Sequence, residues 1–123
     1  MDTPGDVSAP HEEKSEGYCG RSVRSAIDLI GGKWTMLILW ELLGEERRYA
    51  QLQRQVTGIS QKVLSAELKS LVQAGLVERE VEVAPTIPPQ VTYRITSKGR
   101  SLEGIFVALD QWGRRHGDGS SRR

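Results

Sequence analysis

The residues of this 123-residue sequence with chemistry to offer fall into two groups. The first is a polar set at helical spacing: Ser60, Gln61, Lys62, Ser65 and Lys69, interleaved with Leu64, Leu68 and Leu71. If the leucines point inward, the polar set lies on or near the outward side of one helix. Glutamine pairs bidentately with adenine, lysine donates to guanine or phosphate, and serine adapts to either role. Free backbone N–H groups at a helix start near Ser60 would also suit a phosphate. A carboxylate facing phosphate is unfavourable, so Glu67 is expected to point away or to be tolerated at an edge. The same face also reads more plainly, because Gln, Lys and Ser are common on any solvated helix surface.

The second group is one cysteine, Cys19, and two histidines, His11 and His116. A lone cysteine excludes an internal disulfide, and with two histidines it makes a structural zinc cluster a poor expectation, so no metal or cofactor is assigned. Neither histidine has a Cys or carboxylate partner at helical spacing, and no glycine-rich phosphate loop occurs. Asp28, Glu41, Glu45 and Glu46 read as helix-end or surface carboxylates rather than an acid–base pair. Catalysis is not expected.

The elements that must position the polar set follow from periodicity. Residues 1–18 read as a flexible acidic arm with little to pack. Ser22 is the expected cap of a first helix in which Val23, Ala26, Ile27 and Ile30 share a face, and Gly31-Gly32 interrupts it. Trp34 to Leu43 forms a second helix with no wide polar face, placed at the centre of the fold and stopped by Gly44. Its two tryptophans read as core packing or a subunit contact rather than a cofactor stack. Tyr49, Leu52 and Val56 mark a short third helix, and Gly58 precedes a fourth from about Ser60 to Ala74, with Gly75 as its stop. The period then changes to two: Val77, Arg79, Val81 and Val83 alternate with Glu78, Glu80 and Glu82, and Val91, Tyr93 and Ile95 form a second set. That pattern predicts an antiparallel ribbon with one covered face and a tip stiffened by Pro85, Pro88 and Pro89. Thr96 or Ser97 can cap a last helix carrying Leu102, Ile105, Phe106, Leu109 and Trp112, after which a flexible basic tail runs through 114–123.

The expected fold is therefore mainly α with a small antiparallel β ribbon. A short third helix before a longer fourth suits a helix-turn-helix, and the ribbon supplies a wing. In that arrangement Arg47, Arg48 and Arg54 would grip flanking phosphates. Arg94, opposite Val91, Tyr93 and Ile95, would contact phosphate at the wing. Each also reads as a solubility charge.

Length leaves room for one domain, expected over residues 19–113. The hydrophobic fraction of 37% is low for a globular chain, so burial against a second copy is an expected way to cover the periodic apolar faces. The formal net charge of +1 hides an asymmetry. Asp2, Asp6, Glu12, Glu13 and Glu16 against Lys14 give the arm −4, leaving +5 for the remainder, a sign that favours a polyanionic partner. No apolar secretory segment opens the chain, and Trp34 to Trp40 is too short to span a bilayer, so no membrane and a cytoplasmic location are expected.

An ordered set of motifs resembles the HxlR-type winged-helix transcriptional regulators, relatives of the MarR group. It comprises Cys19, the run from Ala26 through Gly31-Gly32-Lys33-Trp34, Met36 to Leu39, Arg48-Tyr49-Ala50-Gln51-Leu52 and Gly58 to Ser65. It continues through Leu68 to Leu71, Gly75 to Arg79, Pro88 to Tyr93 and Thr96 to Leu102. The resemblance implies a homodimer on a pseudo-palindromic operator in double-stranded DNA. The fourth helix would enter the major groove, with the ribbon beside the minor groove. The first and last helices would form most of the dimer interface, through Val23, Ile27, Leu102, Phe106, Leu109 and Trp112. Half-sites would then lie roughly 34–36 Å apart, one turn of DNA. Two positions depart from the family. Gly20 follows the cysteine where proline is usual, which implies a looser entry to the first helix. Gln90 stands where arginine is frequent, which implies a weaker contact from the wing.

Several members of that family sense electrophiles, quinones or oxidants through a cysteine placed like Cys19. Arg21 and Arg24 nearby would favour its thiolate. Without a second cysteine in the chain, the expected products are a mixed disulfide with a small thiol, an intersubunit bond, an electrophile adduct or a sulfenic acid. The competing reading is an inert, packed thiol. For the whole protein the competing reading is a winged-helix interaction module without specific DNA recognition.

Overall fold

The computed structural model describes residues 20–82 and 90–117. Cys19, the acidic arm, the proline-rich tip and residues 118–123 of the tail lie outside the described residues. The chain divides after Gly32 into two compact units.

The first unit contributes helix α1, Arg21–Ile30. Its start corrects the expectation of a Ser22 cap. Gly20 turns the chain with φ 88°, and Arg24 N–H donates to the Gly20 carbonyl at 2.7 Å, so Ser22 is already inside the helix. A left-handed residue is inexpensive only for glycine, which fits Gly20 rather than the proline usual at this place.

The second unit begins with α2, Lys33–Gly44. Ile38, Leu39, Leu42 and Leu43 are buried, as expected of a central helix, but Leu37 and Trp40 remain exposed. A two-residue strand β1, Arg47–Arg48, leads into α3, Tyr49–Gln55, and then α4, Gln61–Gln73. Leu52, Val56, Ile59, Leu64, Leu68 and Leu71 join the α2 residues in the core. Each such aliphatic side chain contributes roughly 1.5–3 kcal/mol by leaving water.

Strands β2, Val77–Glu82, and β3, Gln90–Ile95, form the expected antiparallel ribbon, and β1 adds to it in the order β1-β3-β2. The register sets Val77 opposite Ile95, Arg79 opposite Tyr93 and Val81 opposite Val91. Glu78, Glu80 and Glu82 face Arg94, Thr92 and Gln90. Only the base of β2 is covered: Val77 is buried and the rest of the strand is exposed, so the inner face is less sheltered than alternation suggested.

The expected last helix is two helices. Thr96 caps α5, Ser97–Arg100, accepting from Gly99 N–H at 3.1 Å while its hydroxyl donates to the Gly75 carbonyl at 2.6 Å. The Ser101 hydroxyl then bonds back to the Lys98 carbonyl at 2.5 Å, a local bond that competes with helix continuation. Helix α6, Glu103–His116, follows. Its Phe106 is buried against Trp40, with ring centroids 6.4 Å apart.

Candidate nucleic-acid interface

The turn between α3 and α4 is built by packing and by one left-handed glycine. Val56 and Ile59 are buried, Gly58 between them has φ 89°, and the Gln53 side-chain amide donates to the Ile59 carbonyl at 3.3 Å. Ser60 then caps α4, its hydroxyl accepting from Val63 N–H at 3.1 Å.

With Leu64, Leu68 and Leu71 inward, α4 exposes Gln61, Lys62, Ser65 and Lys69, the four helix residues singled out by spacing, together with the capping Ser60. Glu67, the one acid in this helix, is half-buried and accepts from the Thr35 hydroxyl of α2 at 2.6 Å. The carboxylate is thus tied to the scaffold, as the electrostatic argument required.

Two residues that spacing did not single out join this face. The Tyr49 hydroxyl reaches from the start of α3 to the first turns of α4, 3.1 Å from the Gln61 carbonyl oxygen and 2.9 Å from Ser65 Oγ. Tyr49 was counted as an apolar marker, although a phenol combines an apolar body with a polar tip. Arg79 lies across from α4 and lines, with Ser65, Leu68, Lys69, Gln73 and Tyr93, an open cleft of about 280 Å³. The signal was present in the sequence: Arg79 interrupts the valine face of β2, the face that meets the helix. Among the described residues, no ion pair engages Lys62, Lys69 or Arg79.

The other proposed cations divide. Arg54 is exposed in the last turn of α3. Arg48 is exposed, and its backbone N–H donates to Gln51 Oε1 at 2.8 Å. Arg47 is held by Glu41 at 3.4 Å and Glu45 at 3.1 Å with its side chain only 17% exposed, which removes it from the expected phosphate grip. Arg94 and Gln90 fall on the ribbon face opposite Tyr93, away from the cleft beside α4. There Arg94 bonds Glu80 at 2.6 Å and Glu46 at 3.2 Å, with Glu78 3.8 Å away. Hydrogen bonds to Glu80 and then Glu46 raise its pKa above the ordinary arginine value. Its charge therefore answers carboxylates within the chain.

The residues expected at a subunit contact also separate. On α1, Val23 and Ile27 are 60% and 59% exposed. On α6, Leu109 and Trp112 are 46% and 60% exposed, and Leu102 is half-buried. Phe106 is a correction: at 4% exposure it already belongs to the core of the single chain, because the break at Ser101 turns it toward Trp40. Among the described residues, no helix is long and apolar enough to cross a membrane.

Comparison with known proteins agrees with the fold. The family described as HxlR-like helix-turn-helix matches residues 29–121. An HTH-type transcriptional regulator of Methanothermobacter thermautotrophicus is 40% identical over 96 residues, covering 78% of this chain and 72% of that protein. The crystal structure of the HTH-type transcriptional regulator YtcD superposes with a TM-score of 0.70 at 38% identity, covering 76% of this chain and 94% of that one. The redox regulator HypR in its oxidized form gives a TM-score of 0.72 at 33% identity, covering 79% and 98%.

Proposed function

The chain belongs to the HxlR-like helix-turn-helix family and is a DNA-binding transcriptional regulator rather than an enzyme; from that premise we propose that it acts as a homodimer on a pseudo-palindromic operator. The observation that carries the reading is the outward face of α4. Gln61, Lys62, Ser65 and Lys69 stand together there while Glu67 is drawn off to Thr35. Gln61 and Ser65 would read base edges in the major groove. Lys62, Lys69, Ser60, Arg54 and Arg79 would hold the phosphate backbone. Residues 19–113 would carry both DNA binding and dimerisation. Val23 and Ile27 on α1, Leu102 just before α6, and Leu109 and Trp112 on it, would supply apolar area to the subunit contact.

Control through Cys19 is the finer part of this proposal. Its support is the likeness to a redox regulator and the match of the cysteine to the family's sensing position. An oxidant would convert the thiolate to a sulfenic acid, and a small thiol would then displace water to give a mixed disulfide.

Selection from a random duplex pool with reduced protein at near-physiological salt tests the operator reading. An inverted repeat protected equally in both halves is the expected result. Binding that selects no motif and vanishes as salt rises would leave only electrostatic association and overturn it.

A further inference from the structure

We infer that Tyr49 fixes the hydrogen-bonding polarity of Ser65, so that α4 offers an acceptor rather than a donor at this point of its outward face. The inference rests on the DNA-reading role proposed above. The Tyr49 hydroxyl contacts the Gln61 carbonyl oxygen at 3.1 Å and Ser65 Oγ at 2.9 Å. A phenol has one proton, and a carbonyl oxygen only accepts. The Tyr49 proton therefore goes to Gln61, and the second contact runs the other way, with Ser65 donating to the phenol oxygen. The carbonyl has two lone pairs, so it serves the helix bond and the phenol together. Ser65 is left with its proton committed inward and its lone pairs free.

That polarity selects among bases. In the major groove the exocyclic amines of adenine and cytosine donate, whereas guanine N7 and O6 and thymine O4 accept. A serine with a free rotor serves either kind. Ser65, held by Tyr49, is matched to adenine or cytosine on the strand it touches. Serving an acceptor would cost one hydrogen bond: the one from Ser65 to Tyr49 or, with both protons reversed, the one from Tyr49 to Gln61. In a groove that excludes water, this corresponds to a preference of roughly fivefold.

The measurement is the affinity of the full-length wild type, Tyr49→Phe and Ser65→Ala for a set of operator duplexes substituted at each base pair in turn. Ser65→Ala should flatten the preference at one position, which identifies the Ser65 contact. Every pair holds one adenine or cytosine and one guanine or thymine, so the decisive substitution there removes the exocyclic amine, with purine in place of adenine or pyrimidin-2-one in place of cytosine. Tyr49→Phe should tolerate inversion of that pair, leaving preferences elsewhere intact. Where adenine is the preferred base, replacing it by purine, which lacks the 6-amino group, should cost the wild type roughly fivefold whether or not either variant folds. Indifference to the missing amine, a uniform loss in Tyr49→Phe or no flattened position in Ser65→Ala would overturn the inference and leave operator reading intact. A wild type without base preference anywhere would overturn both.

Discussion

Arg79 and Arg94 stand in adjacent cross-strand pairs of one ribbon, yet their surroundings assign them different work, and salt dependence can tell the two apart. Arg79 is on the inner face, beside Lys69 and Gln73 in the cleft along α4. Arg94 is on the outer face, hydrogen-bonded to Glu80 and Glu46. A cation that neutralises a phosphate releases condensed counterions, and each such contact adds about 0.9 to the slope of log affinity against log salt. Removing one contact should therefore make the variant lose roughly 3.5-fold less affinity than the wild type between 50 and 200 mM salt. Arg79→Ala should show that reduced slope. Arg94→Ala should leave the slope at its wild-type value, because its charge is already answered by carboxylates of the chain. The assay is fluorescence anisotropy on an operator duplex at four salt concentrations, with thermal unfolding as a check on folding. A flattened slope for Arg94→Ala with an unchanged one for Arg79→Ala would refute the assignment of the two faces.

Four further outcomes follow from the same geometry. Thr35→Ala should free the Glu67 carboxylate toward the DNA-facing side and weaken operator binding severalfold in anisotropy titrations, and Thr35→Ala with Glu67→Gln should recover most of the loss. Phe106→Ala should destabilise the protein by about 3–5 kcal/mol in urea unfolding, as a deleted core aromatic does. Trp112→Ala should instead act on assembly, raising the dimer dissociation constant by about thirtyfold in sedimentation equilibrium if it is a hot spot of about 2 kcal/mol. Gly99→Ala would drive a Cβ into the Leu76 carbonyl and within 2.7 Å of the Ile95 side chain. The expected cost is about 1–3 kcal/mol, read as a lowered urea midpoint.

Most elements were legible because each carries its own period and punctuation. The leucine spacing of α4, its Ser60 cap and the glycine at 58 all point to one helix with one outward face, and the structure places them so. Strand alternation fixed which residues share a face, and hence that Arg94 opposes Tyr93. It marked the apolar face as the covered one but not that α4 would lie along it, because that depends on how the ribbon packs on the helix. Arg79 was consequently passed over as part of the valine face, and Arg94 was weighed without its carboxylate neighbours. The break at Ser101 was hidden for a related reason: the helical spacing of Leu102, Ile105, Phe106 and Leu109 begins only after it, and a serine bonding back to Lys98 leaves no periodic trace. Phe106 was read as subunit contact because an apolar stripe does not say whether its partner is Trp40 or a second copy of the chain. Tyr49 was misjudged by half, since periodicity registers its ring and is blind to its hydroxyl.

The near-neutral charge of the protein is better understood as a sorted one. On the α4 side, Lys62, Lys69 and Arg79 stand where the one acid of the helix has been tied back to Thr35. On the other side of the ribbon, Glu78, Glu80 and Glu82 share a face with Arg94, and Glu46 joins them from the turn before β1. Carboxylates outnumber cations there even after Arg48 is counted, so phosphate approaching the outer face meets repulsion while phosphate approaching the inner face meets three cations. Under the proposed function, such an arrangement would give little affinity for DNA in arbitrary poses and would favour the pose that brings α4 to the groove. Discrimination between poses would then precede discrimination between bases, because Gln61 and Ser65 would read an edge only once the backbone contacts had set the helix in register.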